Sequence, residues 1–136
     1  MEKYESVLKF KKYIVDEIFF KRNDEYELKE EGVPISLKIE PKIDIKEKDM
    51  NICLNIKICE NSKINNMPFE MNIKLTGFFS VDENNPEIFK RNAIAILYPY
   101  VRAIVSTYTA NANITPVILP TINVNKLIEE QEDKKN

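Results

Sequence analysis

The 136-residue sequence has no histidine and no tryptophan, and only two glycines and two cysteines. Without histidine there is no imidazole to ligate a metal, act as a general base or complete a Ser–His or Cys–His pair. Gly32 and Gly77 are too few for a phosphate-cradling loop or a dinucleotide fingerprint. Cys53 and Cys59 cannot build a zinc cage alone, and six residues apart on one predicted strand they cannot bond to each other. Long apolar runs are missing as well. The longest charge-free apolar stretch, Ala93 to Val101, is nine residues and contains Pro99, whereas a spanning helix needs about 20. The N-terminal Met1-Glu2-Lys3-Tyr4-Glu5 lacks the apolar core of a signal peptide, so a cytoplasmic location is expected. Twenty Lys and Arg against 22 Asp and Glu leave a net charge of −2 and no broad basic surface for nucleic acid. Asp16 and Glu17, flanked by Ile14, Val15 and Ile18, are the nearest approach to paired catalytic acids, and they read better as an exposed strand edge. The expectation is a protein with no catalytic residue, no metal, no cofactor and no membrane insertion.

What is present is alternation. From Pro34 the odd positions Ile35, Leu37, Ile39, Ile43 and Ile45 are apolar, with Ser36, Lys38, Glu40, Lys42 and Asp44 between them. Ile52, Leu54, Ile56 and Ile58 repeat the pattern and place Cys53 and Cys59 on the opposite face; Phe69, Met71, Ile73, Leu75, Phe79 and Val81 repeat it again. Gly77 interrupts that last run, where a bulge or a close approach is expected. Each run buries one face and wets the other, as antiparallel sheets allow. The segment Leu8 to Phe20 differs. Leu8, Phe10, Ile14, Ile18 and Phe20 share one parity and Tyr13, Val15 and Phe19 the other, which suggests burial on both faces, with Tyr13 and Val15 against a second subunit.

After Asn84-Asn85-Pro86, which suits an N-cap followed by proline at the first helical position, residues 87–113 read as one long helix kinked at Pro99. Its apolar residues cover more than one face, so Leu97, Tyr100 and Arg102 are candidates for contact between subunits, as are Ile73 and Leu75 of the fourth strand. For Arg102 a pairing at the interface and a solvated face both remain open. Beyond lies Ile114-Thr115-Pro116-Val117-Ile118-Leu119-Pro120-Thr121-Ile122-Asn123-Val124, whose two prolines forbid regular helix. Asn125 can cap a short final helix carrying Leu127 and Ile128, and residues 129–136 form a charged tail expected to be disordered. Strands first and helices after make one α+β domain over residues 1–128.

These residues resemble the SecB family of protein-export chaperones. Ile96-Leu97-Tyr98-Pro99-Tyr100-Val101-Arg102 looks like the family's aliphatic–Leu–aromatic–Pro–Tyr–x–Arg helix motif. Pro116 to Val124 resembles its proline-and-aliphatic crossover loop, and Thr76-Gly77-Phe78-Phe79-Ser80-Val81 its Gly–aliphatic–Phe signature. Tyr13 to Phe20 looks like its first strand. The resemblance implies a four-stranded antiparallel sheet, a long kinked helix, the crossover loop and a short C-terminal helix, with both helices on one face and dimers pairing into a tetramer. It also implies ATP-independent holding of unfolded precursors and handover to SecA. Departures from the pattern include Ile94-Ala95, where the family has Pro-Asn ahead of the Ile-Leu-aromatic-Pro core. Ala112 stands where the family ends its helix with glycine, so Asn111 or Asn113 must supply any left-handed cap. Val124 replaces an aromatic at the end of the loop. Of the acids that dock SecA on the outer sheet face, Asp16 has a match and Asn72 does not.

A holding chaperone needs an apolar groove rather than a catalytic group. The candidate wall is Ile114, Val117, Ile118, Leu119, Ile122, Val124, Leu127 and Ile128. About 50 Å2 covered on each gives roughly 10 kcal/mol gross at ~25 cal/mol per Å2, much of which ordering the client takes back. Periodicity alone allows the loop to be a lid on the core; the resemblance favours the groove. The second reading is a SecB-like chaperone dedicated to one partner, such as the antitoxin of a toxin–antitoxin pair.

Overall fold

The computed structural model describes residues 7–27, 35–114 and 119–135. Four strands, β1 (Leu8–Arg22), β2 (Leu37–Lys46), β3 (Asp49–Ile58) and β4 (Phe69–Val81), form one antiparallel sheet in the order β1-β4-β3-β2. A one-turn helix, α1 (Ser62–Asn65), joins β3 to β4, and the long α2 (Lys90–Asn111) and terminal α3 (Val124–Lys135) follow. β2 is an edge strand, which is why it tolerates Pro41.

Alternation in β3 and β4 is complete. Every second residue from Met50 to Ile58 and from Phe69 to Val81 is buried, and α2 packs on that face through Ala93, Ile94, Leu97, Tyr98, Val101 and Val105. Gly77 is the close approach that its interruption of the run suggested. A Cβ there would lie 2.5 Å from a Leu97 methyl, so glycine lets helix and sheet meet.

β1 corrects the two-faced reading. Register shifts between Phe10 and Lys12 and between Val15 and Glu17 insert an extra residue twice, each inverting the parity that follows. Leu8, Phe10, Tyr13, Val15, Ile18 and Phe20 therefore all lie opposite inward-facing positions of β4, while Ile14 and Phe19 lie on the helix-free face. The end of β1 is pinned by buried Asn23, whose amide nitrogen donates to the Ser62 and Met67 carbonyls at 3.1 and 2.9 Å.

Other expectations shift in detail. Asn85 makes no side-chain cap; Pro86–Phe89 is a 3-10 turn, and the α-helix begins at Lys90. Pro99 sits on the exposed side of α2 without ending it. Asn113, at φ 60°, supplies the left-handed cap, with the Ile114 N–H bonded to the Thr109 carbonyl. Cys59 lies just past β3 at φ 54° and is buried, so it does not share the outer face with Cys53; burial raises its thiol pKa. Leu97, Ile73 and Leu75 are fully buried by this chain's own sheet and helix, which corrects their assignment to a subunit interface. Most of α2's large apolar side chains are sheltered the same way, and its outward positions include Ala95, Pro99 and Ala103.

Candidate functional site

Residues 119–123 cross from Tyr98, near the middle of α2, toward β2. Tyr98 of α2 holds that crossing down, its hydroxyl donating to the Pro120 carbonyl at 2.6 Å. Burial holds the Tyr98 pKa above its ordinary value of 10.0, against a smaller opposing pull from Arg102. Asn123, rather than Asn125, caps α3: its Oδ1 accepts from the Lys126 N–H at 3.0 Å. Because the folded Tyr98 pKa is raised, the folded chain retains a proton that the unfolded chain loses above pH 10. Stability is then expected to be full below pH 10 and to fall as pH rises beyond it. Tyr98→Phe should cost about 1 kcal/mol at pH 7 and flatten that alkaline decline, both read by urea denaturation.

With the crossing fixed, α3 lies along the edge of β2 and leaves an open cleft of about 350 Å3. Its apolar lining is Leu37 and Ile39 from β2, Ile122 from the crossing and Leu127 from α3; Lys38, Lys126, Asn123 and Glu130 form the rim. Of the sequence-derived wall, Ile122 and Leu127 line this cleft. Ile114 and Val124 are half-buried against the core. Leu119 and Ile128, at 0 and 1% exposure, are corrections: they anchor the crossing and α3 to the core and present nothing to a ligand. Val117 and Ile118 lie outside the described residues.

Leu37 and Ile39 were missed, and their backbone matters as much as their side chains. The Cys59 N–H bonds the Ser36 carbonyl at 2.9 Å, so along β2 even-numbered residues pair with β3, and Leu37 and Ile39 turn N–H and C=O outward. That open edge stops at Pro41, which has no N–H and whose carbonyl accepts from the Gln131 side chain at 2.7 Å. Gln131, with Lys90–Glu132 at 2.8 Å, also explains why α3 continues to Lys135 where composition suggested a disordered tail.

On the helix-free face, Asp16 is exposed at the second β1 bulge, its carboxylate accepting from the Thr76 hydroxyl at 2.6 Å. Tyr13 and Val15 are 38 and 37% exposed at the β1 edge, and Tyr13 packs on Tyr100, whose ring centroid is 4.4 Å away. Tyr100 and Arg102 are half-buried. Among the described residues there is no group of acids and thiols that could hold a metal, and no helix long and apolar enough to cross a membrane.

Comparison with known proteins agrees with this architecture. Residues 5–135 match the family described as preprotein translocase subunit SecB. An uncharacterized protein of Methanocaldococcus jannaschii is 37% identical over 135 residues, covering 94% of this chain and 86% of that protein. The protein-export protein SecB of Anaplasma phagocytophilum is 33% identical over 88 residues, 59% of this chain and 54% of that one. Among solved structures, a Mycobacterium tuberculosis SecB-like chaperone in complex with a peptide from an antitoxin superposes with a TM-score of 0.64. It is 15% identical, and the match covers 85% of this chain and 91% of that one.

Proposed function

The chain belongs to the SecB family, and from that premise we propose that it is an ATP-independent holding chaperone for unfolded or precursor polypeptides. It keeps them competent for export through the Sec pathway, in the cytoplasm. The observation that carries this reading is the cleft between β2 and α3, where four apolar side chains sit beside an unpaired strand edge. An extended segment of almost any sequence can place side chains on the first and backbone groups on the second. Covering about 50 Å2 on each of four side chains is worth roughly 5 kcal/mol gross. One cleft is therefore weak, and a long client engages several copies at once.

That arithmetic asks for assembly. The exposed Tyr13 and Val15, with Tyr100 behind them, lie at the β1 edge, across the sheet from the cleft. Pairing there, and pairing of dimers into a tetramer, leaves every cleft open. Asp16 is the residue through which SecA would dock.

The test mixes the purified chain with a slow-folding precursor at equimolar tetramer and follows refolding. A delay of at least severalfold is expected, with light scattering reporting a mass above that of one chain. Unchanged refolding, or a monomer at micromolar concentration, counts decisively against the proposal.

A second reading has its own support. The structural neighbour is a SecB-like chaperone holding an antitoxin peptide, and Asn72 lacks the acid expected for SecA. In that reading the cleft serves one partner. Co-purification with a single small protein, and no effect on an unrelated precursor, would select it.

A further inference from the structure

The strand register sorts the outer face of the sheet into rows, and two adjacent rows are poorly satisfied by the chain itself. In one, Lys38 of β2 lies directly opposite Lys57 of β3, which in turn faces Asn72 of β4 and, beyond it, the 43%-exposed Phe19 of β1. In the next, Asn55 lies between Glu40 and Lys74. Like charges directly opposite in a sheet destabilise it, and the Oδ1 atoms of Asn55 and Asn72 are buried without a hydrogen-bond partner. Local choices that cost stability tend to mark a surface used for something else.

The electrostatics indicate what that use is. The carboxylates of these rows are already engaged, Glu40 by Lys38 at 3.1 Å and Glu17 by Lys74 at 3.8 Å. Among the described strand residues of this face, lysines number four on β1, three on β2 and one each on β3 and β4. Carboxylates number two each on β1 and β2 and one each on β3 and β4. The surplus is three positive charges on a chain whose net charge is −2. Among the described residues α2 packs on the opposite side, and α3 reaches this face at Gln131. An open concavity of about 620 Å3 lies beside Asn55, between Lys42 and Lys74.

We propose that this face, centred on Lys38, Lys57, Asn55 and Asn72, docks an acidic polypeptide segment of a partner protein. Its carboxylates meet the surplus lysines. Its N–H groups meet the two carboxamide oxygens, which reach the surface by turning about the side-chain bonds of half-buried residues. A peptide also brings backbone N–H donors, which phosphodiesters lack, so the complementarity is to peptide rather than nucleic acid. Lys57, Asn55 and Asn72 lie outside the client cleft, and Lys38 stands on its rim as well.

The test is fluorescence anisotropy of a labelled glutamate-rich peptide on the full chain at low ionic strength. Saturable binding is expected, weakened by salt and reduced about tenfold in Lys38→Glu/Lys57→Glu. Lys57→Gln, which relieves the like-charge pair, should weaken binding severalfold without lowering the urea midpoint, so the result survives if the double variant folds poorly. No saturable binding, equal binding by both variants, or equally tight binding of a thymidine oligonucleotide would each overturn the proposal.

Discussion

Gly77→Ala is expected to destabilise the chain by about 2 kcal/mol although it adds a single methyl group. The new Cβ lies 2.5, 2.7 and 3.0 Å from the Cδ2, Cδ1 and Cγ atoms of Leu97. Leucine methyls move cheaply in open space, but Leu97 is fully buried between α2 and the sheet. Relief requires lifting α2 or driving Leu97 off its rotamer. Leu97→Ala alone leaves a cavity and costs about 2–5 kcal/mol. In Gly77→Ala/Leu97→Ala the new methyl fills part of that cavity, so the double variant should be more stable than the sum of the singles by about 1 kcal/mol or more. Urea denaturation at unchanged slope measures all three. Additive costs would mean that the helix–sheet contact is set elsewhere.

That contact shows what local sequence can disclose. The run from Phe69 to Val81 broken at Gly77 announces a bulge or a close approach, and the contact with Leu97 decides for the second. The alternations of β2 and β3 likewise name their buried faces. β1 resists such reading. Its two extra residues reverse the parity at Lys11 and Asp16, and a bulge built from lysine or aspartate leaves no compositional sign of itself. Half of the cleft was legible for the same reason. Ile122 and Leu127 stand out as aliphatic residues near a proline loop. Leu37 and Ile39 look like ordinary inward residues until strand order shows that, among the described residues, no strand lies beyond β2. The charged stretch after Glu129 illustrates the converse. Its helix is held by Gln131 on Pro41 and Glu132 on Lys90, contacts 90 and 42 residues distant.

The crossing carries the prediction that separates a cleft from a lid. Sequence treats Leu119 and Ile122 as equivalent, and both would then tolerate glutamate while losing client. The structure divides them. Leu119 is fully buried, so Leu119→Glu must place a carboxyl group among apolar atoms or expel the crossing from the core. Either outcome costs several kcal/mol, and the chain should unfold at much lower urea. Ile122 is half-buried at the cleft, beside the rim lysines Lys38 and Lys126. A glutamate there can reach water or a lysine, so Ile122→Glu should shift stability by less than about 1 kcal/mol. A charge in the apolar strip opposes entry of an apolar client side chain, and client holding should fall at least tenfold in the refolding assay. Equal loss of stability in both variants would make the crossing a lid on the core. Retention of holding by a folded Ile122→Glu would move the client site elsewhere. Only the divided outcome, one variant unfolded and the other folded but unable to hold, fits a cleft whose wall is Ile122 on a crossing that Leu119 anchors to the core.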